Sequence, residues 1–214
     1  PTPPPTLVTS SFELVQGAYR ARLARTPADL DAVFALRFAT FNVELGEGLA
    51  ESWLSGRDRD PFDAQCDHLL VELRETGAVI GTYRMQTARA AARGCGFYCA
   101  TEFSLDDLPA SVRADAIELG RTCIAPEHRQ RSVLFLLWRG LASYMRVQGT
   151  RYFFGCCSLP GNDSATARAA YVWLQENGHV HAAIHVRARP EFGFPPASPA
   201  DLGGVDLPPL FRTY

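Results

Sequence analysis

Along the chain, apolar positions fall into short alternating runs and longer helical stripes. Residues 19–24 alternate, with Tyr19, Ala21 and Leu23 against Arg20, Arg22 and Ala24, which predicts a first strand. Thr26-Pro27-Ala28-Asp29 then opens a helix: Thr26 as N-cap, Pro27 in the first turn and Asp29 facing the dipole. Its stripe runs through Leu30, Val33, Phe34, Phe38 and Phe41, with Arg37 on the same face. Residues 42–59, rich in glycine and charge, read as a mobile loop, and Asp60-Pro61-Phe62-Asp63 as an acidic turn. Residues 68–73 and 78–86 predict a hairpin. Residues 116–124 are apolar and partly β-branched, a buried strand. Residues 133–147, apolar nearly all round, predict a buried helix capped by Ser132 and ended by Gly149. A further buried strand is expected over 151–158 and a helix over 164–176, stopped by Asn177-Gly178. This order predicts one mixed sheet covered by helices.

The predicted strand 116–124 carries an acid and a base, Glu118 and Arg121, three residues apart. In a regular strand such positions face opposite sides. Gly120 lies between them, and an isolated glycine in a strand predicts a bulge, which would turn both side chains towards one cleft. Ionisable groups on an interior strand are costly unless they pair or react. A structural ion pair and a reaction centre both satisfy that condition, and the reaction centre is the expectation. Arg37 likewise needs an anionic partner, either a core carboxylate or a substrate. Asp60 and Asp63 either hold a cationic ligand or remain solvated. Tyr83 and Arg84 fall near a strand end, where a site would form. Residues 126–132, with Arg129 and Arg131, lead into a helix N-terminus, which reads as an anion site or as a solvated basic turn.

Composition narrows the classes. With 214 residues, 47% of them hydrophobic, the chain can bury one substantial α/β domain. A net charge of −2 exerts no general pull towards nucleic acid. Six cysteines are too few and too irregular for a disulfide scaffold, which favours a reducing, cytoplasmic setting. Cys95 and Cys99 lack a second ligand pair, and His179, His181 and His185 lack acidic or thiol partners, so no metal site is expected. No dinucleotide, P-loop, zincin or nucleophile-elbow motif occurs. Residues 1–17 read as a disordered leader, 18–187 as the folded domain and 188–214 as a proline-rich arm.

The order of motifs resembles the GNAT acyltransferase superfamily, which implies a three-layer αβα fold around a mixed, mostly antiparallel sheet. Leu36-Arg37-x-x-x-Phe41, Asp60-Pro61-Phe62-Asp63, Gly81-Thr82-Tyr83-Arg84 and Glu118-Leu119-Gly120-Arg121 resemble the pattern of the acyl-homoserine-lactone synthases. The tryptophan that such synthases carry near residues 44–48 is missing. More closely, Phe62-Asp63-x-x-Cys66-Asp67-His68-Leu69-Leu70-Val71, Leu137-Trp138-Arg139-Gly140 and Gly155-Cys156-Cys157-Ser158-Leu159-Pro160-Gly161 are similar to the ornithine N-acyltransferases of ornithine-lipid synthesis, also termed hemolysin-like. The resemblance covers residues 18–214.

That resemblance implies transfer of a long, 3-hydroxylated fatty acyl group from acyl carrier protein to the α-amino group of ornithine or a similar amino acid. Glu118 would be the general base, directly or through a water, with Arg121 beside it. Arg37, Phe41, Asp60, Asp63 and Arg84 would shape the substrate site. Residues 127–132 lack the glycines that wrap a coenzyme A pyrophosphate, which suits the single phosphate of a carrier-bound phosphopantetheine held by Arg129, Arg131 and Ser132. No bound cofactor is expected; the co-substrate is acyl carrier protein or acyl-CoA, and a lipid product implies peripheral contact with the inner membrane. No cysteine has a sequence-local activating histidine, so direct attack by the amine is expected. The family's chain runs on past 208–214 into further strands. Rival readings are an acetyl-CoA-dependent GNAT N-acetyltransferase, an acyl-homoserine-lactone synthase and a catalytically silent binding domain.

Overall fold

In a computed structural model that describes residues 12–159 and 164–193, six strands join in chain order. They are β1 (Glu13–Gln16), β2 (Tyr19–Leu23), β3 (Asp67–Leu73), β4 (Val79–Thr87), β5 (Ala116–Ile124) and β6 (Tyr152–Phe154). Neighbours from β1 to β5 pair antiparallel, and β6 joins β5 in parallel. Helix α1 (Pro27–Phe38) packs Val33 and Phe34 with Leu70 and Ala24 on one face. Helix α2 (Arg131–Gln148) packs Leu136, Leu137, Leu141 and Tyr144 against Leu69, Val71, Tyr83, Met85 and Ile117 on the other. The alternation along β3 thus sends Leu69 and Val71 one way and Leu70 the other, and all three are fully buried. The expected three-layer, mostly antiparallel arrangement is the observed one.

Local signals account for where the helices begin and how closely they pack. Thr26 and Asp29 form a reciprocal capping box at the start of α1, and the Arg22 guanidinium grips the Asp29 carboxylate as well. Gly140 lets α2 approach β3: a Cβ there would stand 2.7 Å from a Leu69 methyl carbon. Four residues on, the Tyr144 hydroxyl donates to the Asp67 carboxylate, tying helix to strand. No described helix is long and apolar enough to cross a membrane.

Several expectations are corrected. Residues 13–16 are a sheet strand, not leader, because β2 offers them a full register of backbone partners; residues 1–11 and 194–214 lie outside the described residues. The segment read as a mobile loop carries helical turns. The chain leaves α1 as a π-helical segment, Ala39–Glu44, and later forms a short helix, Ser52–Ser55, with Asn42 donating to the Leu49 carbonyl at 2.8 Å. Helix α2 is amphipathic, with Phe135 and Val147 exposed, and its N-cap is Gln130 rather than Ser132. The strand expected over 151–158 is only three residues long, and its Tyr152 and Phe153 are exposed because β6 ends the sheet.

The described residues divide into two compact units, 12–98 with 114–155 and 99–113 with 156–159 and 164–193. The first carries the sheet, α1 and α2. In the second, helix α3 (Ser164–Glu176) stops before Gly178, and Arg187 forks onto Asp107 at 2.6 and 2.9 Å. Replacing Gly140 with valine should lower the unfolding free energy by about 1–3 kcal/mol through overpacking against Leu69, read from the urea midpoint.

Candidate active site

Three arginines and three aspartates on the α1 side of the sheet form an alternating ring. Arg37 reaches inward from the last turn of α1 because it shares the face of Val33 and Phe34. Its Nε donates to Asp58 Oδ1 at 2.7 Å, and its terminal nitrogens donate to Asp63 at 2.7 and 3.2 Å. Arg84, from β4, donates to both oxygens of Asp60 at 2.7 Å and to Asp63 at 3.2 Å. Arg121, from β5, closes the ring more loosely, 3.7 Å from Asp58 and 3.6 Å from Asp60. Asp60 and Asp63 are presented by the turn Pro61–Gln65, where they form a capping box of their own.

The kink in β5 makes this arrangement possible. Arg84 stands opposite Gly120 and Thr82 opposite Cys123, so Arg121 and Thr122 together face Tyr83 alone. This is a β-bulge. Arg121 adopts φ 48°, the left-handed region, as no other non-glycine does among the described residues. The bulge expected at Gly120 therefore centres one residue later, and a Cβ at Gly120 would meet the Arg84 guanidinium only in ordinary contact, at 3.9 Å. The extra residue brings Arg121 onto the face that carries Glu118.

Glu118 lies outside the ring and is buried, opposite Gln86 in the β4–β5 register. Its Oε2 accepts the backbone N–H of Tyr98 at 2.9 Å. The loop that supplies this donor is clamped: Gln65 and Gln86 each donate to the Gly96 carbonyl at 2.8 Å. Aromatic rings flank the cations. Arg84 lies near Phe62 and Tyr98, and Arg121 near Phe41, each 5.7–5.8 Å from the ring centre.

A family model described as an acetyltransferase (GNAT) domain matches residues 36–139. The L-ornithine N(alpha)-acyltransferase of Rhizobium meliloti (strain 1021) is 36% identical over 206 residues, spanning 90% of this chain and 70% of the relative. That of Brucella abortus (strain 2308) is 35% identical over 182 residues, spanning 81% and 64%. The chain belongs to this acyltransferase family. Among solved structures, a putative N-acetyltransferase from Lactobacillus plantarum is 19% identical with a TM-score of 0.46, over 73% of this chain and 82% of that one. The acyl-homoserine-lactone synthase LasI is 17% identical with a TM-score of 0.47, over 68% and 72%.

In this acyltransferase the expected site residues separate by exposure. The side chains of Arg37 and Asp63 are sealed from solvent, at 0% and 1%. They are enclosed by their own ion pairs, Arg37 with Asp58 and Asp63, and Asp63 also with Arg84. Arg121 retains 18% exposure, the most of the ring. Asp58, fully buried in the supposed loop, and Tyr98, acting through its backbone, went unnoticed in the sequence. At the basic turn, Arg129 is taken up by Glu44, at 2.6 and 2.5 Å, and by the Ile124 carbonyl at 3.0 Å. Arg131 stays exposed, and the α2 N-cap supplies no side-chain bond to the first turn, where the Val133 N–H donates to the Gln130 carbonyl at 3.1 Å. Among the described residues no group of three or more His, Cys, Asp or Glu side chains could hold a metal ion.

Burial alone would raise the Asp63 carboxyl, but the charge and hydrogen bonds of Arg37, with the charge of Arg84, hold it down to about 2. Burial lowers His68, beside Asp63, to about 4, so it is neutral at physiological pH. Burial pushes the Cys66 thiol up, and Cys123 up to about 12. Neither is a thiolate at neutral pH.

Two outcomes are expected. Arg37→Met leaves Asp58 and Asp63 short of a buried partner, so unfolding free energy should fall by about 3–5 kcal/mol. His68 binds its proton more readily unfolded (near 6.5) than folded (about 4), so its contribution is complete above about pH 7 and is lost as pH falls towards 4. Denaturation midpoints should therefore decline more steeply between pH 7 and 4 in the wild type than in His68→Gln. Parallel curves would refute the assignment.

Proposed function

We propose that this acyltransferase moves a fatty acyl group from a phosphopantetheine thioester on acyl carrier protein to the α-amino group of ornithine or a similar amino acid. The reading extends to a 3-hydroxylated acyl chain, a lyso-ornithine lipid product and peripheral contact with the inner membrane. The observation that carries it is the bulge in β5, which sets Glu118 and Arg121 on one sheet face within a family whose curated relatives are named L-ornithine N(alpha)-acyltransferases.

The chemistry needs a neutral amine, a polarised carbonyl and a route for one proton. The amine nitrogen attacks the thioester carbon, the C–S bond breaks and the donor leaves as a thiol. Glu118 accepts the proton that the attacking nitrogen sheds, directly or through one water, and the departing thiolate takes up a proton in exchange. Its hydrogen bond from Tyr98 N–H fixes one carboxylate oxygen and so orients the group. Backbone donors released from the ladder at the bulge suit the developing oxyanion. Inside the ring three positive and three negative charges cancel. Arg121, loosely held and partly exposed, is the ring member placed to meet the acceptor's carboxylate. The helix start at Arg131 and Ser132 suits a single phosphate.

The test is a direct assay of amide formation with acyl carrier protein and coenzyme A thioesters as donors. Wild type should form N-acylornithine faster from the carrier-protein donor. Glu118→Gln should lose about 10²–10⁴-fold in rate while its unfolding transition is unchanged. A fully active variant would remove Glu118 from the role of base, and a strict preference for acetyl-CoA would replace the donor.

A further inference from the structure

Two of the six cysteines meet outside the ring. No disulfide joins any of the six. Cys156 Sγ lies 3.3 Å from Cys99 Sγ, although 57 positions separate them in the chain. Both belong to the second compact unit. Cys99 is buried and Cys156 is half-buried, so one thiol faces reagents and the other waits behind it.

The residues preceding each sulfur show that the approach is built in. Tyr98, before Cys99, is fastened by its N–H to Glu118 of β5. Gly155, before Cys156, lies so near the Leu119 carbonyl of β5 that an added Cβ would stand 2.3 Å from that oxygen. Each cysteine is therefore one peptide bond from a residue fixed on the same strand.

We propose that Cys99 and Cys156 form a redox-active dithiol, a modification site that closes to a disulfide on exchange with a small-molecule disulfide. A disulfide requires about 2.05 Å between sulfurs, a shift of little more than 1 Å from the observed separation. The Cys156 thiolate attacks one sulfur of the oxidant, forming a mixed disulfide and releasing one thiol. The Cys99 thiolate, its proton given to solvent, then displaces the second thiol. The protein pair loses two electrons and two protons, and the oxidant is reduced to two thiols. The proposal is independent of the identity of the acyl donor or acceptor.

The experiment equilibrates the full chain with reduced and oxidised glutathione over a range of ratios, traps free thiols with N-ethylmaleimide and maps peptides without reduction. The expected result is a Cys99–Cys156 linked peptide that grows with the oxidised fraction and is reversed by dithiothreitol. It should persist in Cys157→Ala and vanish in Cys156→Ala. Alkylation of both Cys99 and Cys156 at every ratio would overturn the proposal. So would an oxidised product joining Cys156 to Cys157 or to any other cysteine. Cys157→Ala leaves both proposed partners in place, so the outcome does not depend on whether Cys156→Ala folds.

Discussion

Burying charge is what this site must first solve. An ion taken from water into a protein interior carries a penalty of several kcal/mol, which a single partner at good geometry only partly offsets. Here Arg37, Asp58, Arg121, Asp60, Arg84 and Asp63 alternate in sign around a closed circuit, so every charge has two opposite neighbours. The members come from four places: the end of α1, the segment 58–63, β4 and β5. None of these can shift without leaving a charge uncompensated. The ring adds little net stability over a well-packed apolar core of similar volume, but it penalises every alternative arrangement of those segments. With three charges of each sign the ring is neutral as a whole, and Arg121 is its most exposed edge.

That edge is where the backbone is strained. A non-glycine residue in the left-handed region costs on the order of 1–3 kcal/mol and persists only where its surroundings hold it. Arg121 is held by Asp58 and Asp60 through its guanidinium and by the Phe41 ring beneath it. The same residue is the loosest and most exposed corner of the ring. Strain and looseness coincide because the bulge that turns the side chain over also draws it away from ideal hydrogen-bond distance.

What the sequence reveals follows from how local each signal is. Thr26 and Asp29 announce the start of α1 because a capping box is a four-residue motif, and β3 and β4 are legible because alternation needs only neighbours. Arg37 could be placed inward from helix geometry alone. The bulge was legible from Gly120 and the spacing of Glu118 and Arg121, yet which residue became the extra one depended on partners from other segments. Asp58 was invisible for a different reason. It sits in a glycine-rich, charged stretch whose composition matches a solvated loop, and its burial depends on Arg37, 21 residues earlier. Tyr98 N–H on Glu118 leaves no side-chain signature at all. The site was thus readable in its side-chain cast and not in its connectivity.

The remaining question is how a rigid charged wall coexists with a site that must admit two substrates. The π-helical segment Ala39–Glu44 answers part of it. Phe41 lies against Arg121, and Glu44, three residues later, takes both terminal nitrogens of Arg129. One short segment therefore joins Arg121 to the basic turn that leads into α2. The two contacts differ in kind. The ring behind Arg121 is sealed from water, whereas the Glu44–Arg129 pair is substantially exposed and, like other surface pairs, contributes at most about 1 kcal/mol. Solvent and salt weaken it, and an anion at the start of α2 would compete for the same guanidinium. The wall is fixed where charges are buried, and it yields at the rim, where the ion pair is cheap to break.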